Sequence, residues 1–265
     1  MIWRFIPYQV YDPYWNMAID EAILIAHHEN RVLPTLRLYG WNPATLSIGY
    51  FQHAHRQINH EKIEELNLGF VRRMTGGRAV FHDRELTYSV ILSEKNPLVS
   101  SSVQATYRKI NLALETAIKK LTLKVDESVQ KIQSETSSAA CFDAPGSEEF
   151  LIDGRKAIGS AQTRQQGVLL QHGSILLDFD FKTFYDIFTF PTKQSRLQFE
   201  TRIGTLTQLC NRPIPMEEAM KAVYSGFEEG LSVSLVEQNL SPYEWELAEQ
   251  LVKDKYSKTE WNEKR

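Results

Sequence analysis

Alternation of apolar with polar or small residues marks several short stretches of this chain as strands, since successive side chains on an extended backbone point to opposite faces. "IWRFI" at 2–6 has this pattern, and so do "TLRLYG" (35–40) and "TLSIGY" (45–50). Trp41-Asn42-Pro43 stands between the last two, which predicts a pair of strands joined by a turn. "FVRR" (70–73), "AVFH" (79–82) and "LTYSVILS" (86–93) make a second run of strands. "EFLIDGRKAIGSAQTRQ" (149–165) and "VLLQHGSILLD" (168–178) predict hairpin-linked strands, the first with an Asp-Gly turn at 153–154.

Elsewhere the apolar residues return every three or four positions. Residues 14–29 carry Met17, Ala18, Ala22, Ile25 and Ala26 at helical spacing. Asn59 can cap a helix running to about Leu66, and Glu61 and Glu64 favour its positive end. Over 102–121, Val103, Tyr107, Ile110, Leu114, Ala117 and Leu121 share one face. After Asp178 the pattern predicts helices at 180–189, 216–230 and 241–255, with Pro213 and Pro215 ahead of the second. Between them, 126–148 is polar and reads as a long loop, a place where function commonly concentrates. Strands with interspersed helices and a helical tail give an α+β class with mixed β-sheets and flanking helices. No composition break divides the chain, so 1–265 reads as one domain, with its core at about 30–235 and a helical C-terminal segment over 216–265.

Composition narrows the function more than the fold. The 265 residues carry a net charge of −3 and are 42% hydrophobic, which suits a sizeable core and gives nucleic-acid binding no electrostatic support. Basic residues cluster locally at 72–84, 155–164 and 193–202, where an acidic protein could meet them. No basic-then-apolar leader opens the chain and no apolar run is long enough to span a bilayer, so a cytoplasmic location is expected. The histidines at 27, 28, 53, 55 and 60 follow no metal-ligand spacing, and no Cys/His cluster suggests zinc.

The chemistry-bearing candidates lie in three places. "RRMTGGRAVFHDRELTYS" (72–89) is neither a Walker A loop nor a dinucleotide fingerprint, and alone its Gly-Gly pair would be a tight turn. Arg72, Arg73 and Arg78 around the glycines exceed what a turn needs and suit a thioester carbonyl, a carboxylate or a phosphate. Cys141 sits in the polar "SSAACFDAPG" rather than in an apolar run, where a reactive thiol belongs. Lys156 in "DGRKAIGSA" is the candidate cation to stabilise its thiolate, if the hairpin folds back toward it. His82 and His172, each near glycine, could line a pocket or be satisfied structural imidazoles, and Cys210 in "TQLCNRP" reads as core.

Those same segments resemble the lipoate–protein ligase and octanoyltransferase family. "RRMTGGRAVFHDRELTYS" is similar to its arginine and double-glycine signature, and "GRKAIGSAQTRQQGVLLQHGSILLD" to its lysine segment and following strand. "SSAACFDAP", "YGWNPATLSIGYFQ" and the terminal "EWNEKR" resemble one subgroup, the octanoyl-carrier-protein:protein octanoyltransferases of the LipM type found in Gram-positive bacteria. The resemblance implies the catalytic fold shared with biotin protein ligases. It implies that Cys141 is an acyl-thioester nucleophile and Lys156 the cation that lowers its pKa and assists the incoming amine. Arg73, Thr75, Gly76, Gly77 and His82 would line an acyl tunnel and its mouth, with Gly159, Ser160, His172 and Gly173 facing them. Octanoyl-acyl carrier protein would be the donor and the glycine cleavage H protein or another lipoyl domain the acceptor, with no cofactor and a monomeric enzyme. The alternative within the family is an ATP-dependent lipoate–protein ligase. Ligases lack "CFDAP" and more often read Gly-Gly-Gly where this chain has Gly76-Gly77-Arg78, so the transferase is favoured.

Overall fold

A computed structural model describes residues 1–122, 151–152 and 154–265, with the side chains at 122, 151 and 152 left out. The expected loop at 126–148, with Cys141 in it, lies outside the described residues. In chain order the elements are β1 (Ile2–Tyr11), α1 (Pro13–His28), β2 (Thr35–Trp41), β3 (Thr45–Ile48), α2 (His60–Glu65), β4 (Gly69–Arg72), β5 (Val80–His82) and β6 (Glu85–Ser93). There follow α3 (Val103–Thr122), β7 (Leu151–Ile152), β8 (Arg155–Lys156), β9 (Ile158–Gln165), β10 (Val168–Leu176), α4 (Phe181–Ile187), α5 (Lys193–Arg202) and α6 (Leu206–Leu209). The last are α7 (Met216–Leu231), β11 (Ser234–Glu237), α8 (Pro242–Leu251), a π-helical turn (Val252–Tyr256) and α9 (Thr259–Asn262).

Six strands in the order β11-β1-β2-β6-β10-β9 make the main sheet. β1 runs parallel to β2 and β11, while β2, β6, β10 and β9 pair antiparallel in turn, so the sheet is mixed as expected. The alternation read in the sequence separates its faces. Leu36, Leu38, Leu86, Tyr88, Val90, Leu169 and Ile175 join one core cluster with residues of α3 and α7. Tyr39, Ile91, Val168 and Leu170 join another with residues of α1 and α8. α7 meets α3 closely because Gly226 has no Cβ, which would stand 2.5 Å from the Ala113 carbonyl oxygen. Of the face predicted for α3, Ile110, Leu114, Ala117 and Leu121 are buried, but Val103 in the first turn is exposed.

A second sheet, β4-β3-β5, corrects one expectation. The stretches 35–40 and 45–50 are not partners. Both edges of β2 are occupied, by β1 and β6, and residues 42–44 carry the chain to the small sheet. There β3 pairs parallel with β4 and antiparallel with β5. Its apolar side packs on Phe184, Ile187, Phe188 and Phe199 of the α4–α5 region. Within 151–178 the described residues form two antiparallel pairs: β7 with β8, with Gly154 at φ +72°, and β9 with β10.

α5 and β11 lie where no element was predicted. α5, "KQSRLQFETR", buries Phe199 alone, so its apolar periodicity is too thin to register. β11 has four residues, of which only Leu235 is buried.

Candidate active site

The site forms where the small sheet and its glycine segment close over β9 and β10. β4 ends at Arg72 and β5 begins at Val80 in the same small sheet, and the residues between them reach over to the main sheet, where Thr75 meets His172. Gly77 takes φ +87°, a left-handed conformation open to glycine at little cost. A Cβ built on Gly77 would lie 3.7 Å from the Ala161 Cβ of β9. One built on Gly49, just after β3, would lie 2.0 Å from the Gly77 carbonyl oxygen, so only glycine permits this approach. Among the described residues, Gly76 has nothing within 4 Å of its Cβ direction.

Beneath this segment runs a buried polar layer made of two hydrogen-bonded strings. In the first, Asp20 of α1 accepts from Arg37 Nη1 at 2.7 Å, Ser89 Oγ at 2.9 Å and Tyr39 Oη at 3.0 Å. His172 Nδ1 lies 3.3 Å from the same carboxylate, and its Nε2 lies 2.7 Å from Thr75 Oγ1. Burial lowers the His172 pKa, with the nearby Arg73 and His82 charges helping and Asp20 opposing. A neutral ring that donates from Nδ1 to Asp20 accepts the Thr75 hydroxyl proton at Nε2. Burial pushes the Asp20 carboxyl up, but Arg37 and His172 outweigh it and hold the group below the usual carboxylate range.

In the second string Arg73 Nη1 donates to Ser47 Oγ at 2.6 Å and to the Ser47 carbonyl at 3.0 Å. Its Nη2 donates to the carbonyls of Gly76 and Arg78, pinning the glycine turn from below. Ser47 Oγ lies 2.7 Å from His82 Nε2, and His82 Nδ1 lies 2.8 Å from Glu85 Oε1. The His82 ring stacks on Trp41 at 4.1 Å between centroids. Glu85 Oε2 and Ser174 Oγ are buried without a partner among the described residues.

The residues singled out in the sequence thus converge, with two qualifications. Thr75, Gly76, Gly77, Arg73 and His82 lie on the α1 side of the main sheet with His172 and, by register, Gly159. Ser160 and Gly173 are paired across β9 and β10 and face the α3 side, as Tyr88 does. There Ser160 Oγ lies 2.8 Å from Tyr88 Oη, which also accepts from Gln171 Nε2 at 3.0 Å. Burial pushes the Tyr88 phenol up to about 12, so it stays protonated. Arg72, one of the basic residues of 72–84 expected to meet an acidic protein, is instead wholly buried and bonded to backbone carbonyls, so it cannot dock an acidic partner. Lys156 is half-buried on β8; its carbonyl accepts from Gly204 N, and Ala157 leads directly into β9. Cys210 is buried in the core beside α6, and burial raises its thiol pKa, which removes it as a nucleophile candidate.

Asp20, Ser47, Gly49 and Glu85 were not singled out in the sequence. The signal available for Asp20 was a carboxylate on the buried side of an amphipathic helix, where an unpaired charge would be costly. Such a layer can hold the polar end of an acyl substrate in a dry environment.

Comparison with known proteins gives the family and the fold. The family model of the lipoyl protein ligase A/B catalytic domain matches residues 12–228. The chain belongs to this family. Relatives include octanoyltransferase LipM of Brevibacillus brevis, 45% identical over 99% of both chains. Octanoyltransferase LipM of Bacillus subtilis is 44% identical over 99% of this chain and 98% of its own. At that identity over full length the chain is an acyltransferase of the lipoyl ligase family. A lipoate-protein ligase A structure solved with ATP superposes with a TM-score of 0.81 at 24% identity, covering 99% of each chain. The lipoate protein ligase of a bipartite system from Thermoplasma acidophilum gives 0.79 at 24% identity, covering 99% of this chain and 96% of that one. These two likenesses establish the lipoate ligase fold, the α+β architecture expected from the sequence. Among the described residues no helix is long and apolar enough to cross a membrane.

Proposed function

We propose that this member of the lipoyl ligase family transfers an octanoyl group from octanoyl-acyl carrier protein, through a thioester on Cys141, to a lysine of a lipoyl domain. The glycine cleavage H protein is the acceptor we favour. The observation that carries the reading is the full-length similarity, at 44% to 46% identity, to octanoyltransferases called LipM.

In the first step the Cys141 thiolate attacks the donor's thioester carbonyl. A new C–S bond forms, the old one breaks, and the carrier's thiolate leaves with the bonding pair. One thioester replaces another, so the exchange is nearly isoenergetic and needs no ATP. In the second step a neutral lysine amine attacks the acyl-enzyme, Cys141 leaves as thiolate, and the amine's surplus proton passes to base. Amide formation from a thioester runs downhill and commits the transfer. Dividing the transfer in this way is what a covalent nucleophile contributes. Lys156 in this scheme stabilises both appearances of the thiolate.

Arg73, Thr75, Gly76, Gly77 and His82 would bind the acyl group together with Gly159 and His172 on their side of the main sheet, whereas Ser160 and Gly173, also expected there, face the other side. The fit is supported by the space that the described residues leave beside Gly76 and by the buried polar layer beneath it. Burying the alkyl chain at about 0.8 kcal/mol per CH₂ would supply several kcal/mol and register its length.

Incubation with octanoyl-acyl carrier protein, without ATP, should add one octanoyl mass to the enzyme and then pass it to H protein. Cys141→Ala should show no adduct and no transfer. Wild-type transfer rates in that variant would rule out the covalent route, and pyrophosphate release with free lipoate and ATP would favour a ligase instead.

A further inference from the structure

The buried Arg72 guanidinium ties two distant stretches together. Its backbone N–H donates to Asn262 Oδ1 at 2.8 Å, and its Nε donates to the carbonyls of Trp261 and Asn262 at 3.0 and 3.1 Å. Trp261 Nε1 returns a bond to the Arg72 carbonyl at 2.9 Å. On the other side Arg72 Nη1 donates to the carbonyls of Gly49, Tyr50 and Gln52 at 3.0, 3.1 and 2.7 Å. The 256–265 segment and the 49–52 turn thus share one cation, and neither set of carbonyls can leave without stranding buried donors.

Each side has its own anchor. Asn262 Nδ2 donates to the Tyr256 carbonyl, and Tyr256 Oη and Lys255 Nζ bond Glu21 of α1. Lys264 Nζ lies 3.4 Å from the Tyr50 ring centroid and 3.7 Å from that of Trp261, a contact that spans both stretches. Ala54 N donates to the Arg265 carbonyl at 2.9 Å. The turn in turn meets the site: Tyr50 N donates to the Thr75 carbonyl at 2.8 Å, and Gly49 abuts the Gly77 carbonyl.

We propose that Arg72 and Asn262 are positioning residues for the candidate active site, with the 256–265 segment acting through Arg72 to hold the 49–52 turn against the glycine segment. The holding is a property of the fold; its effect on rate rests on the function proposed above.

Asn262→Ala removes the side-chain acceptor for Arg72 N and the brace to Tyr256. Amide exchange within 49–54 and 73–78 should accelerate about tenfold, with β6 and β10 unchanged. The single-turnover rate of octanoyl-enzyme formation should fall about tenfold, since small misplacement of a site costs rate steeply. Trp261→Phe, which removes the indole N–H that bonds the Arg72 carbonyl and trims the ring beside Tyr50 and Lys264, should give the same pattern at smaller amplitude and guards against misfolding of the first variant. Unchanged exchange in the two stretches, an equal rise across β6 and β10, or a local rise with no change in rate would each overturn the proposal. A wild-type enzyme that never acquires the octanoyl mass counts against the proposed function instead, because the exchange arm needs no substrate.

Discussion

His172 and Asp20 show how much a single position owes to its surroundings. The sequence marked His172 as a ring near glycine, either pocket or structure, and could go no further because its carboxylate partner is 152 residues away. In the fold the ring is sealed among Asp20, Thr75, Arg73 and His82, and burial lowers its pKa from 6.5. The unfolded chain therefore binds more protons than the native one below that value, and stability falls on acidification through it. Asp20, held below the usual carboxylate range, adds to the loss only at lower pH, as its own folded pKa is crossed. Urea midpoints should drop from about pH 7 to about pH 5 in the wild type, and less steeply in His172→Gln. Parallel slopes would show that His172 is not the group responsible.

At the scale of elements, periodicity found most strands and helices and the β9–β10 hairpin, but not the partners of β2 and β3. β2 and β3 are neighbours in sequence and belong to different sheets, because pairing follows vacant edges rather than order along the chain. α8 is a case in which a helix is legible and its purpose is not. Glu244 completes a capping box with Ser241, and its carboxylate also receives Arg4 Nη1 and Nη2 at 2.8 and 2.5 Å, with both side chains almost fully buried. Glu244→Ala should cost about 3–5 kcal/mol, because it leaves the Arg4 charge buried without its partner. The exposed Glu246→Ala on the same helix should cost under about 0.5 kcal/mol. Equal, small losses in both would show that the ion pair carries no weight.

Across the whole molecule the contacts join positions far apart in the chain. Arg4 reaches Glu244, Arg72 reaches Asn262, and β11 pairs with β1 at the sheet's edge. The helices after residue 216 are thus built into the main sheet's cores and do not form a separate tail. We propose accordingly that 1–265 unfolds as one unit. Calorimetry should give a single transition whose van't Hoff and calorimetric enthalpies agree. Two resolved transitions, one of them lost on removing residues after 240, would contradict this.

What the sequence alone determined was local: the α+β class from its two periodicities, the core status of Cys210, and a short roll of segments whose motifs carry a family resemblance. Those follow from forces that act over a few residues. Which sheet β2 and β3 each join, which arginine is buried, and which carboxylate stands behind which histidine were decided only in three dimensions. A buried charge must find its compensating partner somewhere in the fold, and nothing in the order of residues says where that partner will be.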